Sequence, residues 1–415
     1  FFRHDVLVTN SLHKIAIFGQ RVPDKLVVEP SFGAMDGVNN FLRCKRQHLQ
    51  GKPVFVLGNE AADLDSCVCA ITYAYLEYHL HGLQTVPVIN IPRSEFIFRS
   101  EVVWLFDHLG ISVPDLTFID EVPLHDYCED GKGRILLVDH NKLAVKQQHL
   151  SPMVYGIIDH HVDEQMHVDT CTHRREISLV GSAATLVVEA FTESDVGQAL
   201  ASNDMAYLLL APILVDTVNL DPAFHKVTPR DEAAAQFLSS RHARDEDAGR
   251  LLFDTLQKEK YNTARLSIDD SLRKDYKAFK FGAHNVGIAS VLDSIDDLIA
   301  KDAAGFHAIC DDFADRQEVV GLVIMCAYFE GGDGGDFKRQ LIIVQPPKAN
   351  YDAAAAVFQT LTSSLEGNEG EELAVTVLNP NISGLLPSQA VRFYSQGNTA
   401  FSRKKLTPLV GTWFA

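Results

Sequence analysis

The sequence predicts an α/β protein of two domains, the first built on a parallel sheet and the second a smaller α/β unit. Three observations carry this. At 415 residues the chain is too long for one small core. From about residue 52, short β-rich runs alternate with helical stretches, the pattern of a parallel sheet with crossover helices. Beyond about residue 270 the pattern changes to a long helical stretch followed by two apolar strands around a glycine-rich turn.

The elements of the first domain follow in order. PVFVLG (53–58) reads as a strand and SCVCAITYAYLEYHL (66–80) as a helix. TVPVIN (85–90) is the second strand, with a helix around SEVVWLFDHLG after it. RILLVDH (134–140) and VYGIIDH (154–160) are the third and fourth strands, and each ends in polar residues, as strands do when their carboxyl ends line a site. GSAATLVVEAF (181–191) is a glycine turn entering a helix, and AYLLLAPILVDT (206–217) carries an apolar segment up to Asp216, which is grouped with the strand ends. Residues 226–262 are charged and helix-prone and place the domain connection near 240–270, so the domains are drawn as 35–250 and 251–415.

In the second domain come FKFGAHNVGIASV, one long helix DSIDDLIAKDAAGFHAICDDFADR, and the strands EVVGLVIMCAYFE and RQLIIVQ. GGDGGD (331–336) lies between those strands and reads as a hairpin turn, because a phosphate loop needs a strand-to-helix context. The chain opens on FFRHDVLVTN and its first methionine is Met35. No signal-peptide pattern stands out, and residues 1–34 are expected to be poorly ordered or outside the natural product.

Composition narrows the function. With 46% hydrophobic and 22% charged residues, a large core can form without disulfides. The cysteines at 44, 67, 69, 128, 171, 310 and 326 are odd in number and contain no CxxC pair, which points to a reducing compartment. Cys67 and Cys69 read as helix packing. The longest apolar run, 206–215, is about half a membrane span and contains Pro212, so no membrane association is expected. A formal charge of −18 argues against general nucleic-acid binding. A polyanionic substrate would need a local basic cluster or metal ions.

The strand-end groups are Asn59, Asp63 and Asp65 from GNEAADLDS, Asp139 and His140 from VDHN, Asp159, His160 and His161 from GIIDHH, and Asp216 from VDT. Strand ends of a parallel sheet converge on one edge, so these groups meet in a small volume. Two like charges about 4 Å apart cost on the order of 4 kcal/mol at an effective dielectric near 20. The cluster therefore needs protons, basic partners or cations. Carboxylates with an imidazole suit Mg²⁺ or Mn²⁺, and the lack of cysteine counts against a structural zinc site. Alone, a DxDS turn is more often a helix cap than a ligand set; four turns in this order point to metal-assisted phosphoryl chemistry.

The order NxxxDxDS, VDH, DHH, VDT resembles the DHH phosphoesterases, which include RecJ-like nucleases, manganese-dependent family II pyrophosphatases and cytosolic exopolyphosphatases. VPVINIPRSEFIFRSEV (86–102), ILVDTVN, KDYKAFKFG (274–282) and the tail SRKKLTP (402–408) look most like the fungal and protozoan exopolyphosphatase branch. The resemblance covers roughly residues 50–412. It implies an N-terminal DHH domain and a smaller DHH-associated domain with the active site in the cleft between them. It implies that Asp63 and Asp65 bind one divalent ion each, that Asp139 and Asp216 touch both, and that His160 completes the second site. His161 would bind the scissile phosphate or protonate the leaving oxygen, and Asp159 would orient its neighbours.

Where the manganese pyrophosphatases have histidine, this chain has Asn59, as the exopolyphosphatase and prune-like branches do. An amide oxygen there would harden the site, favouring Mg²⁺ over Mn²⁺ or Co²⁺. His140 is a candidate phosphate contact. Lys277, Arg403 and Lys404 would reach the terminal phosphates, the alternative for the RKK run being an exposed basic tail, with Lys405 solvated. Arg93 is a phosphate contact or a salt-bridge partner, and Ser182 caps its helix or opens a phosphate-binding turn.

The expected activity is release of orthophosphate from the end of linear inorganic polyphosphate, by attack of a hydroxide bridging two metal ions. An inorganic pyrophosphatase or prune-like short-chain polyphosphatase or phosphodiesterase is the nearest alternative, and a catalytically idle scaffold the more distant one. A cytoplasmic monomer is expected, with a polyphosphate-storing organelle as the other location.

Overall fold

The structure is a computed structural model that describes residues 35–201, 203–242, 247–331, 335–346, 351–378 and 390–414. The expected extension 1–34 and the centre of the 331–336 turn lie outside those residues. The chain divides into two units between Asn262 and Thr263, later than the boundary drawn at 250/251.

The first unit begins with α1 (Asp36–Arg43) and alternates as predicted: β1 (Val54–Leu57), α2 (Leu64–His81), β2 (Thr85–Val88), α3 (Ser100–Leu109), β3 (Arg134–Val138) and β4 (Val154–Asp159). A short β5 (Arg175–Ile177), α4 (Ala183–Thr192), α5 (Asp204–Asp216), α6 (Pro229–Ser239) and α7 (Ala248–Glu259) complete it. The five strands are parallel in the order β2-β1-β3-β4-β5. Because β1 connects to β2 on one side and β3 lies on the other, strand order reverses between β1 and β3. The carboxyl edge at such a point opens a crevice.

Strands β1, β3 and β4 are apolar on both faces because both are covered. Val54, Val56, Leu136, Val138 and Ile158 pack with α2, α4 and α5, while Phe55, Leu57, Ile135, Leu137 and Ile157 form a separate cluster with Leu124, Leu143 and Leu150. Each such side chain contributes about 1.5–3 kcal/mol on full burial. Helix α2 is buried continuously from Leu64 to Glu77, which explains its apolar character on all sides.

The second unit has a mixed sheet in the order β10-β11-β9-β8-β7-β6. Its elements are α8 (Ile268–Lys274), β6 (Tyr276–Phe281), β7 (His284–Val291), α9 (Ile295–Ala300), α10 (Phe306–Arg316), β8 (Gly321–Glu330), β9 (Asp336–Val344), α11 (Tyr351–Glu366), β10 (Val375–Leu378), β11 (Val391–Gln396) and α12 (Arg403–Trp413). Strands β8 and β9 pair antiparallel up to Glu330 and Asp336 on either side of the glycine-rich turn. Leu272, Leu298, Phe306 and Phe313 pack on one face of the sheet, and Val357, Leu361, Leu406 and Val410 on the other.

Two expectations are corrected, and one alternative falls. Asp216 ends a helix: α5 is rich in alanine and leucine rather than β-branched residues, and its 13 residues are too many for an average strand. The long helix of the second unit is two helices, broken where Asp302 Oδ1 accepts from the Gly305 amide and draws the backbone into a local turn. The SRKK run opens helix α12 and is no free tail.

Candidate metal and phosphate site

The carboxyl ends of β1, β3 and β4 hold the site. After β1, a Cβ at Gly58 would lie 2.4 Å from Ser66 Oγ, so glycine lets the strand end approach the first turn of α2, where the Asn59 amide donates to Ser66 Oγ at 2.7 Å. Asp63 caps α2 by accepting from the Ser66 amide at 3.1 Å. In the same first turn, the carboxylate of Asp65 accepts from the amides of Ala183 (2.6 Å) and Ala184 (2.9 Å) at the start of α4. A negative charge is favoured at that positive helix end.

Asp139 follows β3 with φ of 62°, a left-handed conformation that costs a non-glycine residue energy and is held by the surrounding structure. His160 Nε2 lies 3.3 Å from Asp139 Oδ1 and 3.9 Å from Asp65 Oδ2, while its Nδ1 faces the Val180 carbonyl at 3.1 Å. A proton on Nδ1 satisfies that carbonyl and leaves Nε2 as a ligand aimed at the carboxylates. Asp159 is fully buried; its Oδ1 meets His161 Nδ1 at 2.7 Å and its Oδ2 accepts from Asn141 at 2.5 Å. Ligand atoms of Asp139, His160 and His161 lie within 4.8 Å of one another.

Burial, then the charges of Asp65 and Asp63, push the carboxyls of Asp139 and Asp216 well above the usual range. Burial and the charge of Asp65 also raise Asp63. Burial opposes the charge on His160, but the surrounding carboxylates, Asp65 first, outweigh it and raise its pKa. The bond to Asp159 raises His161, and although burial works against the Asp159 carboxylate, that same bond holds it below its ordinary value. Asp216 Oδ2 is buried with no hydrogen-bond partner. Mutually repelling carboxyls and an orphaned oxygen are what divalent cations would neutralise, and the imidazole beside them can ligate once it gives up its Nε2 proton, so the residues fit a metal centre.

Residues 53–213 match the model of the DHH family, N-terminal domain, and residues 254–413 that of the DHHA2 domain. The chain is 32% identical over 375 residues to human exopolyphosphatase PRUNE1, covering 88% of this chain and 77% of that one. It is 33% identical over 375 residues to a putative exopolyphosphatase of Schizosaccharomyces pombe, covering 86% and 89%. The chain belongs to the DHH family. A solved structure, the putative family II inorganic pyrophosphatase of Methanococcus jannaschii, covers 87% of this chain and 99% of that chain at 18% identity, but its TM-score of 0.39 carries no argument.

In the DHH unit several expected roles change. Asn59 does not offer its oxygen outward: that oxygen accepts from the amides of Ala61 (2.9 Å) and Ala62 (3.1 Å), and its NH₂ donates to Asp139 Oδ2 at 2.7 Å. It orients the Asp139 carboxylate, so the argument that an amide oxygen hardens the site falls. Arg93 is a structural partner, since its guanidinium bonds both oxygens of Glu121 and the carbonyls of Val113 (3.2 Å) and Leu116 (2.8 Å) and stacks on Phe118. Ser182 caps α4, whose first amides are taken by Asp65 and are closed to phosphate. His140 turns Nδ1 to its neighbour's carbonyl, Val138 O, at 2.9 Å, and burial lowers its pKa, which does not suit a phosphate contact.

In the DHHA2 unit, Lys277 is exposed on β6 and Lys404 is exposed on α12. Arg403 is largely buried and tied to the Asp275 carboxylate and, at 2.6 Å, to its carbonyl, so phosphate would have to displace this pairing.

Two residues of the DHH unit escaped the sequence reading. Asn141 holds Asp159 from the other side, and its signal was its place two residues after Asp139 in VDHN. Asp231 is fully buried and accepts from Gly181 N, Thr185 Oγ1, Thr228 N and Thr228 Oγ1, joining the α4 entry turn to the cap of α6. Gly181 is required there, because a Cβ would lie 2.4 Å from Thr217 Cγ2. Asp231→Ala is expected to lose about 3 kcal/mol by orphaning these donors. Urea unfolding midpoints of the two proteins measure it.

Proposed function

We propose that this chain is a metal-dependent exopolyphosphatase that releases orthophosphate from the end of linear inorganic polyphosphate. The observation that carries the reading is the set of buried, mutually repelling carboxyls with His160 at the carboxyl edge of the parallel sheet. Relatives named as exopolyphosphatases support the same chemical class, a hydrolase acting on phosphoanhydrides.

Asp63, Asp65, Asp139, His160 and Asp216 would hold two divalent ions, with Mg²⁺ or Mn²⁺ matching four carboxylates and one imidazole. Those ions would supply Lewis-acid polarisation, an acidified water and charge neutralisation for displacement at phosphorus. Asn59 fixes the rotamer of Asp139. Asp159, braced by Asn141, presents a protonated His161, whose side chain is 57% exposed and free to meet the bridging oxygen of the leaving phosphate. Proton transfer from His161 to that oxygen would let the shortened chain depart. A cytoplasmic setting is part of this reading, supported by the free cysteines among the described residues. Among the described residues no helix is long and apolar enough to cross a membrane.

The test is orthophosphate release from pyrophosphate, triphosphate and long polyphosphate in parallel, with Mg²⁺ and with EDTA. Metal-dependent release from the longer chains with little from pyrophosphate is expected. Fast release from pyrophosphate would assign a pyrophosphatase instead, and no release from any of the three would leave a binding scaffold.

A further inference from the structure

We propose that Glu77, His81 and His173 form a second metal site, for a zinc-class transition ion, at the opposite end of α2 from the DHH cluster. It stands independently of the polyphosphate reading. Glu77 and His81 are four residues apart on the last turns of α2 and share one face of the helix. His173 enters from the segment before β5, where its backbone amide donates to the Tyr155 carbonyl at 2.9 Å. Its Nε2 lies 3.0 Å from Glu77 Oε2. The rings of His81 and His173 stand perpendicular with centroids 5.7 Å apart, and ligand atoms of all three residues fall within 4.8 Å of one another.

A tetrahedral ion with bonds of ~2.0–2.1 Å places its ligand atoms ~3.4 Å apart. His81 is exposed, so its rotamer can close that gap while the backbone stays in place. A cavity of about 230 Å³ adjoins the three groups, lined also by Tyr73, Leu80 and Arg174, and has room for a water as fourth ligand.

A buried ion pair would account for Glu77 and His173 alone, but it leaves other features unexplained. His81 brings a ring nitrogen within 4.8 Å of ligand atoms on both. Glu77 is 3% exposed, and the buried Tyr73 hydroxyl lies against it outside good hydrogen-bond geometry. Arg174, in the cavity wall, is spent on both oxygens of Glu193 at 2.8 and 2.9 Å. The α2 C-terminus ends at His81 and contributes its own negative partial charge. One carboxylate with two imidazoles selects Zn²⁺, Co²⁺ or Cu²⁺ over Mg²⁺.

The site lies about 18 Å along α2 from Asp65, at 1.5 Å per residue, so the two ion sites are separate. An ion here would staple the end of α2 to the β4–β5 edge, bracing the helix whose first turn carries Asp63 and Asp65.

The test weakens the other site first. Full-length Asp139→Asn, stripped with chelator, is titrated with Co²⁺ and followed by its visible spectrum, and then with Zn²⁺ by calorimetry and thermal unfolding. One equivalent giving the intense band of four-coordinate Co²⁺, with a Zn²⁺-induced rise in thermal midpoint, is expected. Adding His81→Ala, an exposed change that leaves the core intact, should erase the band and weaken Zn²⁺ binding at least ~10-fold. Equal titrations with and without His81→Ala, or no tetrahedral band in Asp139→Asn, would overturn the proposal.

Discussion

Replacing Asp139 with asparagine is expected to cut metal-dependent phosphate release at least ~10²-fold, while raising thermal stability in EDTA. The backbone accepts the change, because asparagine is among the residues best suited to the left-handed conformation at φ 62°. The new side chain also keeps an oxygen for the Asn59 NH₂, which now holds Asp139 Oδ2 at 2.7 Å. What is lost is one negative charge from a cluster in which burial and like charges push Asp139 and Asp216 far up and Asp63 up as well.

The pH dependence has a definite sign. A carboxyl whose folded pKa is raised binds protons more tightly folded than unfolded between its ordinary value of 3.8 and the raised one. In EDTA the wild-type protein therefore loses stability as pH rises through that window and does not regain it above. Divalent ions replace the missing protons and should restore the midpoint, most at neutral and alkaline pH. Asp139→Asn should show a shallower decline and a smaller Mg²⁺-induced rise. Asp159, held below its ordinary value, contributes with the opposite sign but equally in both proteins. Thermal scans across pH, with and without Mg²⁺, measure the difference. Equal Mg²⁺ shifts together with wild-type activity would remove Asp139 from the metal centre.

The parallel half of the fold was legible because strands covered on both faces are continuous apolar runs, as in PVFVL and RILLV. Strand β5, REI, is three half-buried residues with no periodicity to read. Strand β10 is mostly exposed, and α12 opens on three basic residues and contains Pro408, which hid its helical character. The residue types gathered at the candidate site were legible where acids and histidines directly follow apolar strands, as at Asp139 and Asp159–His161, but not at Asp216, which ends a helix. Their hydrogen-bond directions were not legible. Which atom Asn59 turns to Asp139 depends on where the Ala61 and Ala62 amides point, and Ala62 itself has φ of 44°. Whether Arg93 is free depends on Glu121, a partner that local pattern does not reveal.

His161→Gln is expected to lower the rate of phosphate release by ~10²–10⁴-fold with little change in metal affinity, as suits a general acid. The geometry separates it from the ligands: its Nδ1 is taken by Asp159 Oδ1 at 2.7 Å and stands 3.9 Å from Asp139 Oδ1. The bond to Asp159 raises the pKa of His161 above its ordinary value of 6.5, so the donating imidazolium is fully present below 6.5 and is lost as pH rises through the raised value. The rate should fall on the alkaline side accordingly. Asp159→Asn removes the carboxylate that causes the shift and should move this limb toward lower pH, at fixed Mg²⁺, whereas His161→Gln should erase it. Asn141→Leu, which strips one hydrogen bond from Asp159 Oδ2, should weaken the brace and give a smaller rate loss of ~10–100-fold. Rate–pH profiles of the four proteins decide the role. An unmoved alkaline limb in Asp159→Asn would mean that His161 positions the substrate without giving up its proton.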